Sequence, residues 1–179
     1  MRRSTERGFT LVEIMIVVAI IALLAAIAIP NVLRGRTSAN ESASIGNMRA
    51  LISSLEMYRS VNSLYPLDIA ANTWQAVMYP GGGVPAFGPP SFNNTMAGGA
   101  TAATGLVQGY TYRFLAGVTA GQQYQVVAVP STLNQTGTRS FFVNETGTVR
   151  HCTGAAATFT TAAWAAVNTI DLPPTAACP

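Results

Sequence analysis

A single carboxylate, that of Glu13, stands near the start of a long apolar stretch of the sequence. Residues 9–30 contain no other charged side chain. As a helix, this stretch would span about 33 Å, which matches a hydrocarbon core about 30 Å thick. A carboxylate placed in that core costs at least about 2.5–3.5 kcal/mol. We therefore expect Glu13 to have a partner that offsets this cost.

A cationic partner would arise if the chain were cut between Gly8 and Phe9. The cut creates a new amino group on Phe9, four residues before Glu13. Within one helix the two groups are poorly placed to pair, but the carboxylate of one subunit can meet the amine of a neighbour. Such a contact would set the register between identical apolar helices. Heterologous contacts that do not close into a ring generate a filament.

Two simpler interpretations of residues 1–30 stay open at this point. Ala26-Ile27-Ala28 fits the small residues of a secretory cleavage site, and the leader before the apolar run is basic. However, the run is longer than the roughly 7–15 apolar residues of a signal peptide, and it contains Glu13. A plain membrane anchor also leaves this carboxylate without a role.

The composition of the 179-residue chain excludes several classes of function. Charged residues make up only 9% of the chain, all ten basic residues are arginine, and there is one histidine. Without lysine, a Walker-type phosphate loop and Schiff-base chemistry are excluded. The arginines form no basic stripe of the kind that nucleic acid requires. The acidic residues are spread along the chain, so we expect no enzymatic activity, no cofactor and no metal site.

The remaining sequence predicts a head built on the second half of a long helix. Apolar side chains recur at helical spacing, which predicts one helix over residues 9–62, softened near residues 30–46 by Pro30, Gly35 and Gly46. Beyond it, a short helix is expected to end at Met78, and residues 79–109 read as an irregular loop. Alternating apolar residues then predict an antiparallel meander that packs on the helix. Its strands are expected at residues 110–114, 124–129, 139–143 and 148–150, with turns at residues 117–121 and 144–147.

Cys152 and Cys178 both lie near the end of the sequence. An even number of cysteines in an exported chain indicates a disulfide, and two free buried thiols are the alternative. The bond would hold down a flap formed by residues 153–179. Trp164 is expected to anchor this flap by packing.

The stretch Gly8-Phe9-Thr10-Leu11-Val12-Glu13-Ile14 resembles the processing site of type IV pilins and of the related pseudopilins of type II secretion. The resemblance implies that residues 1–8 are a leader, which a prepilin peptidase removes by cutting after Gly8, and that Phe9 is then N-methylated. It also implies that Glu13 pairs with the Phe9 amine of an adjacent subunit as a helical homo-oligomer grows on an inner-membrane assembly platform. Residues 9–30 would cross the lipid bilayer before assembly and polymerise afterwards. Pro30 falls where these proteins often have a helix-breaking proline, and we expect it to kink the helix.

The predicted fold is α+β and similar to type IV pilins, with a long N-terminal helix on a four-stranded antiparallel sheet and a disulfide-closed C-terminal flap. Residues 31–179 would form the periplasmic or extracellular head, since the arginines of the leader favour a cytoplasmic N-terminus.

The favoured function is a structural subunit of a type IV pilus, at the cell surface, for adhesion, twitching motility or DNA uptake. The alternative is a pseudopilin in a periplasmic pseudopilus. The cysteine pair and the scarcity of aspartate in the head, which leaves no calcium site, favour the pilus. Leu64-Tyr65-Pro66 resembles a feature also seen in pseudopilins.

Overall fold

The computed structural model describes residues 8–67, 77–80, 86–92, 97–98, 106–116, 121–156 and 161–179. The chain divides into two compact units, Met1–Arg36 and Thr37–Pro179. A single helix, α1, runs from Leu11 to Asn62, in close agreement with the predicted residues 9–62. The expected boundaries of the leader and of the polymerisation segment, after residues 8 and 30, stay predictions.

The described part of the first unit is helical and apolar on all sides. Every large apolar side chain of α1 from Leu11 to Leu33 is more than half exposed. By length and composition, α1 is able to cross a membrane. The helix continues through Pro30 without interruption, so the proline does not end it. The expected kink at this residue stays a prediction.

The second unit is built around a sheet in which four strands form an antiparallel meander. The strands are β1 Ala97–Gly98, β2 Leu106–Val107, β3 Tyr110–Ala116, β4 Tyr124–Pro130, β5 Arg139–Asn144 and β6 Arg150–Thr153. The order is β1-β3-β4-β5-β6, and β2 pairs with the first residues of β3. The meander predicted from the sequence corresponds to β3 to β6. The two short strands add a parallel pairing (β1) and an antiparallel pairing (β2) to β3.

The C-terminal half of α1 packs on one face of this sheet. Met48, Leu51 and Leu55 recur every three or four residues, which places them on one side of the helix, and all three are fully buried. They belong to one apolar cluster with aromatic side chains of β3, such as Tyr112. Leu→Ala at such a position typically costs about 2–5 kcal/mol, so this stripe is a major source of the stability of the unit.

The C-terminal flap lies on the opposite face of the sheet. Val127 and Phe142 alternate with residues of the other face and join a second apolar cluster. Trp164, at the end of the short helix α2 (Thr161–Trp164), is fully buried and stacks on Phe142 at 5.1 Å between ring centroids. The disulfide between Cys152 and Cys178 is present, which confirms the predicted closure of the flap.

The structure corrects the prediction for the last strand. Residues 148–149 lie in the loop, and the strand begins at Arg150, because hydrogen bonds to a side chain within the turn hold the preceding residues. The Asn144 carboxamide oxygen accepts hydrogen bonds from the amide and the hydroxyl of Thr146. Gly147 then adopts a φ of +71°, which favours glycine.

The loop predicted at residues 79–109 also contains more structure than expected. It includes β1, β2 and a short 3-10 turn, Pro90–Phe92. Phe92 is fully buried and packs edge-to-face on Tyr112 at 4.8 Å between ring centroids. The short helix predicted to end at Met78 and the turn at residues 117–121 lie largely outside the described residues.

Candidate assembly site at the start of helix 1

The first turn of α1 is closed by a reciprocal pair of contacts between Thr10 and Glu13. The Glu13 amide donates to Thr10 Oγ1 at 3.3 Å. In return, Glu13 Oε2 accepts hydrogen bonds from the Thr10 amide and the Thr10 hydroxyl, both at 2.8 Å. This is a capping box, which satisfies amide groups that the helix itself leaves unpaired.

Thr10 is a residue of this site that the sequence interpretation missed. The signal was present, since Thr10-Leu11-Val12-Glu13 has the threonine-x-x-glutamate spacing of a capping box directly before an apolar run. The cost of Glu13 is therefore offset in part within its own chain, before any contact with a second subunit.

The predicted cleavage site lies next to this turn. Phe9 is 84% exposed. A Cβ atom placed on Gly8 would meet no other atom within 4 Å. The fold therefore does not require a glycine at this position, and any requirement for Gly8 would come from the enzyme that binds it. The roles predicted for Gly8, Phe9 and Glu13 in cleavage, methylation and intersubunit pairing stay predictions.

A second polar site, which the sequence did not indicate, fastens α1 to the sheet within the second unit. The Glu41 side chain is buried, with 7% of the residue exposed. Its Oε1 accepts hydrogen bonds from the amide and the hydroxyl of Thr138, at 2.8 and 2.6 Å. Its Oε2 accepts from Arg139 Nε at 2.8 Å and lies 2.7 Å from Arg139 Nη2, so two nitrogens of the guanidinium group share this one oxygen in an ion pair.

These contacts set the ionisation of Glu41. Burial of the carboxyl group alone would raise its pKa, but the hydrogen bonds from Thr138, followed by the hydrogen bond and the charge of Arg139, outweigh burial and hold the pKa below its ordinary value of 4.5. The carboxylate is therefore charged at neutral pH, and both of its oxygens are satisfied.

Arg139 connects this ion pair to the C-terminal flap. Its Nη1 lies 3.1 Å from His151 Nδ1, and His151 Nε2 lies 2.9 Å from the carbonyl oxygen of Leu172. A carbonyl oxygen only accepts, so the neutral imidazole carries its hydrogen on Nε2 and accepts from Arg139 through Nδ1. The chain of contacts therefore runs from α1 through β5 and β6 to the flap.

Further polar contacts align the same part of α1. Asn40 donates to the carbonyl oxygen of Thr136 at 2.9 Å, and the Tyr112 hydroxyl donates to Ser44 Oγ at 3.0 Å. In the part of the chain that the structure describes, no three or more His, Cys, Asp or Glu side chains come close enough to hold a metal ion. The polar contacts described above join α1 to the sheet and the sheet to the flap.

Comparison with known proteins agrees with this arrangement. Residues 3–29 match the family model described as the prokaryotic N-terminal methylation motif. This match and the named relatives below, together with the long helix, the antiparallel sheet and the disulfide, support the predicted resemblance to type IV pilins and pseudopilins.

Among curated proteins, the chain is similar to the type II secretion system core protein G of several bacteria. It is 42% identical to that of Klebsiella michiganensis over 66 residues, which is 37% of this chain and 46% of the relative. It is 39% identical to that of Pseudomonas aeruginosa over 66 residues, with the same coverage of both chains. The likeness thus spans less than half the length of these relatives. No solved structure matches the chain.

Proposed function

We propose that this chain is a pseudopilin-type subunit, which polymerises into a periplasmic filament that serves protein secretion. The observation that carries the proposal is the 66-residue likeness to core protein G. It is longer than the methylation motif at residues 3–29, so the likeness is not limited to the motif. This reverses the order of preference drawn from the sequence, which put the surface pilus first.

In this proposal, the first half of α1 is surrounded by lipid before assembly and by neighbouring subunits afterwards. Before assembly, its exposed apolar side chains face lipid, which stabilises the subunit as a single-pass precursor in the inner membrane. After a prepilin peptidase removes the leader and methylates Phe9, the same side chains pack against those of neighbouring subunits. Removing roughly 20 mostly apolar side chains from water corresponds to tens of kcal/mol in gross transfer terms, so the helix has no stable state exposed to water.

Glu13 gives this otherwise uniform apolar surface a register. Two apolar helices that slide along each other have nearly the same energy at many relative positions. An ion pair between Glu13 and the Phe9 amine of a neighbour forms at only one of these positions. The second unit takes no part in chemistry in this proposal, and it presents the surface of the filament. Its fastening to α1 through Glu41 and Arg139 would carry force from the filament axis to the head.

Deletion of the gene in its own host tests the proposal. We expect the deletion strain to lose secreted proteins from the culture medium and to retain them in the periplasm. Its surface filaments, sheared and viewed by electron microscopy, should be unchanged. Expression of the wild-type chain from a plasmid should restore secretion, and expression of the Asp171→Asn variant, which alters only an exposed carboxylate, should do so equally well.

The surface pilus remains a second candidate because of one specific feature. The disulfide between Cys152 and Cys178 closes the C-terminal flap, as in many pilins, and would protect a head exposed outside the cell. A deletion strain with normal secretion but without surface filaments would establish the pilus and exclude the pseudopilus.

A further inference from the structure

Two exposed arginines, Arg34 and Arg36, end the apolar part of the first unit. Between Glu13 and Arg34 lie 20 residues without a charged side chain, all of them in α1. At 1.5 Å per residue, the two charged positions are about 32 Å apart along the helix. This distance is close to the thickness of a hydrocarbon core, which is about 30 Å.

We infer that Arg34 and Arg36 bind phospholipid phosphate groups at the outer surface of the inner membrane and thereby fix the depth of the precursor. The inference rests on the membrane step of the proposed function and specifies the partner of that step. With the arginines at this depth, Glu13 and its capping box lie at the cytoplasmic surface of the membrane, and the Glu13 carboxylate does not enter the hydrocarbon.

The placement of the two arginines covers both sides of the helix. Positions two residues apart are rotated by about 200° around an α-helix, so the two side chains start on nearly opposite sides of it. Long arginine side chains keep their apolar stems along the helix and their charged ends at the membrane surface. A helix held on both sides resists sliding and tilting, which one arginine would not achieve.

The chemistry of the arginines identifies phosphate as the partner. A guanidinium group binds a phosphate with two parallel hydrogen bonds, and phosphate is the anionic group that every phospholipid presents at this depth. Basic residues on the exported side also oppose the usual bias towards a positively charged cytoplasmic side. The orientation of the helix in the membrane therefore does not explain why arginines stand at positions 34 and 36, whereas a contact with phosphate does.

The depth has a consequence for processing. With the two arginines at the outer phosphates, the bond between Gly8 and Phe9 lies just beyond the inner edge of the hydrocarbon. A peptidase acting at the cytoplasmic surface would then reach this bond without drawing Glu13 through the bilayer.

The chain contains no lysine, so isotope-labelled lysine introduced by substitution gives a signal without background from other positions. The variant Arg34→Lys/Arg36→Lys, produced with ¹³C,¹⁵N-lysine, carries isotope label at these two positions alone. The full chain is reconstituted into vesicles of phosphatidylethanolamine and phosphatidylglycerol, and the dephasing of the lysine ¹³Cε signal by ³¹P is measured by solid-state NMR. We expect clear dephasing in this variant. The matched variant Arg49→Lys, labelled in the same way at an exposed position of the second unit, should show none.

A complementary measurement uses arginine itself. The wild-type chain and two variants are each labelled with ¹³C-arginine and compared. Relative to the wild type, Arg34→Gln/Arg36→Gln should lose the dephasing contributed by two of the ten arginines, and Arg49→Gln should lose none.

Equal signals in the paired variants of either experiment would overturn the inference. Sedimentation of the chain with the vesicles separates the two possible failures. A chain that sediments with the vesicles but shows no dephasing at positions 34 and 36 refutes the phosphate contact alone. A chain that does not sediment with them refutes this contact and the membrane step together.

Discussion

Replacement of Glu41 by glutamine tests whether its carboxylate fastens α1 to the sheet. The wild-type carboxylate accepts from Thr138 through one oxygen and from Arg139 through the other. Glutamine keeps the size of the side chain but removes its charge. It also replaces one accepting oxygen by a donating NH₂ group, which must face the donors of either Thr138 or Arg139.

The expected cost follows from the burial of the two partners. Removing one member of a buried ion pair costs about 3–5 kcal/mol, and losing a hydrogen bond to a charged group costs about 1.5–3 kcal/mol. The Arg139 side chain is 28% exposed, so water takes over part of its solvation in the variant. We therefore expect a loss of about 2–3 kcal/mol in the free energy of unfolding. For a unit of this size, the corresponding decrease in Tm is about 6–9 °C.

Thermal unfolding of the full chain in detergent, followed by near-UV circular dichroism of the buried aromatic side chains, measures this loss. The variant Asp171→Asn also removes one carboxylate charge, but from an exposed position, and should change the free energy of unfolding by less than about 0.5 kcal/mol. If Glu41→Gln and Asp171→Asn lower Tm equally, the carboxylate does not stabilise the contact between helix and sheet.

The pH dependence provides an independent check on the same group. The pKa of Glu41 is lowered in the folded chain, so its contribution is fully present above its ordinary value of 4.5 and is lost as the pH falls through the folded pKa. The difference in stability between the wild type and Glu41→Gln should therefore be constant near neutral pH and decrease below about pH 4.5. A difference that does not change on acidification would show that ionisation of Glu41 is irrelevant to stability.

The other sites permit shorter tests. Reduction of the bond between Cys152 and Cys178 should lower the free energy of unfolding by about 3–4 kcal/mol, and an unchanged Tm in reductant would contradict a stabilising role. Leu51→Ala should cost about 2–5 kcal/mol in the same assay because Leu51 is fully buried, and a loss below about 1 kcal/mol would show that the helix stripe is dispensable. Mass spectrometry of the mature subunit should find methylated Phe9 at its N-terminus, whereas a start at another residue would refute the predicted cleavage site. Glu13→Ala should be processed normally but assemble poorly, and filaments at wild-type abundance would exclude the intersubunit pair.

The sequence predicted the elements that have long, regular patterns. The apolar period of α1 extends over many turns, so its end at Asn62 was found to the residue. The strands β3, β4 and β5 were found to within about two residues at each end, which is the usual uncertainty of strand boundaries. Strands β1 and β2 were missed because two residues within a stretch rich in glycine show no alternation.

The role of Glu41 was not predictable from local patterns. In the helical pattern, Glu41 cannot be distinguished from an ordinary exposed polar residue. Its partners Thr138 and Arg139 lie nearly a hundred residues further along the chain. Only the packing of α1 on the sheet brings these groups together. Thr10, by contrast, had a complete local signal, because a capping box lies within four consecutive residues.

The capping box also changes what the intersubunit pair has to achieve. Glu13 Oε2 accepts both hydrogen bonds from Thr10, so these contacts leave Oε1 for the predicted pair with a second subunit. The predicted cleavage after Gly8 would convert the amide of Phe9 into an amine but would leave the amide of Thr10 unchanged, so the hydrogen bonds of the cap would be kept. A neighbouring Phe9 amine would therefore add to an existing set of hydrogen bonds and would not have to replace it. The carboxylate would enter the predicted assembly with its orientation already restricted by Thr10, which would lower the conformational entropy lost when the pair forms.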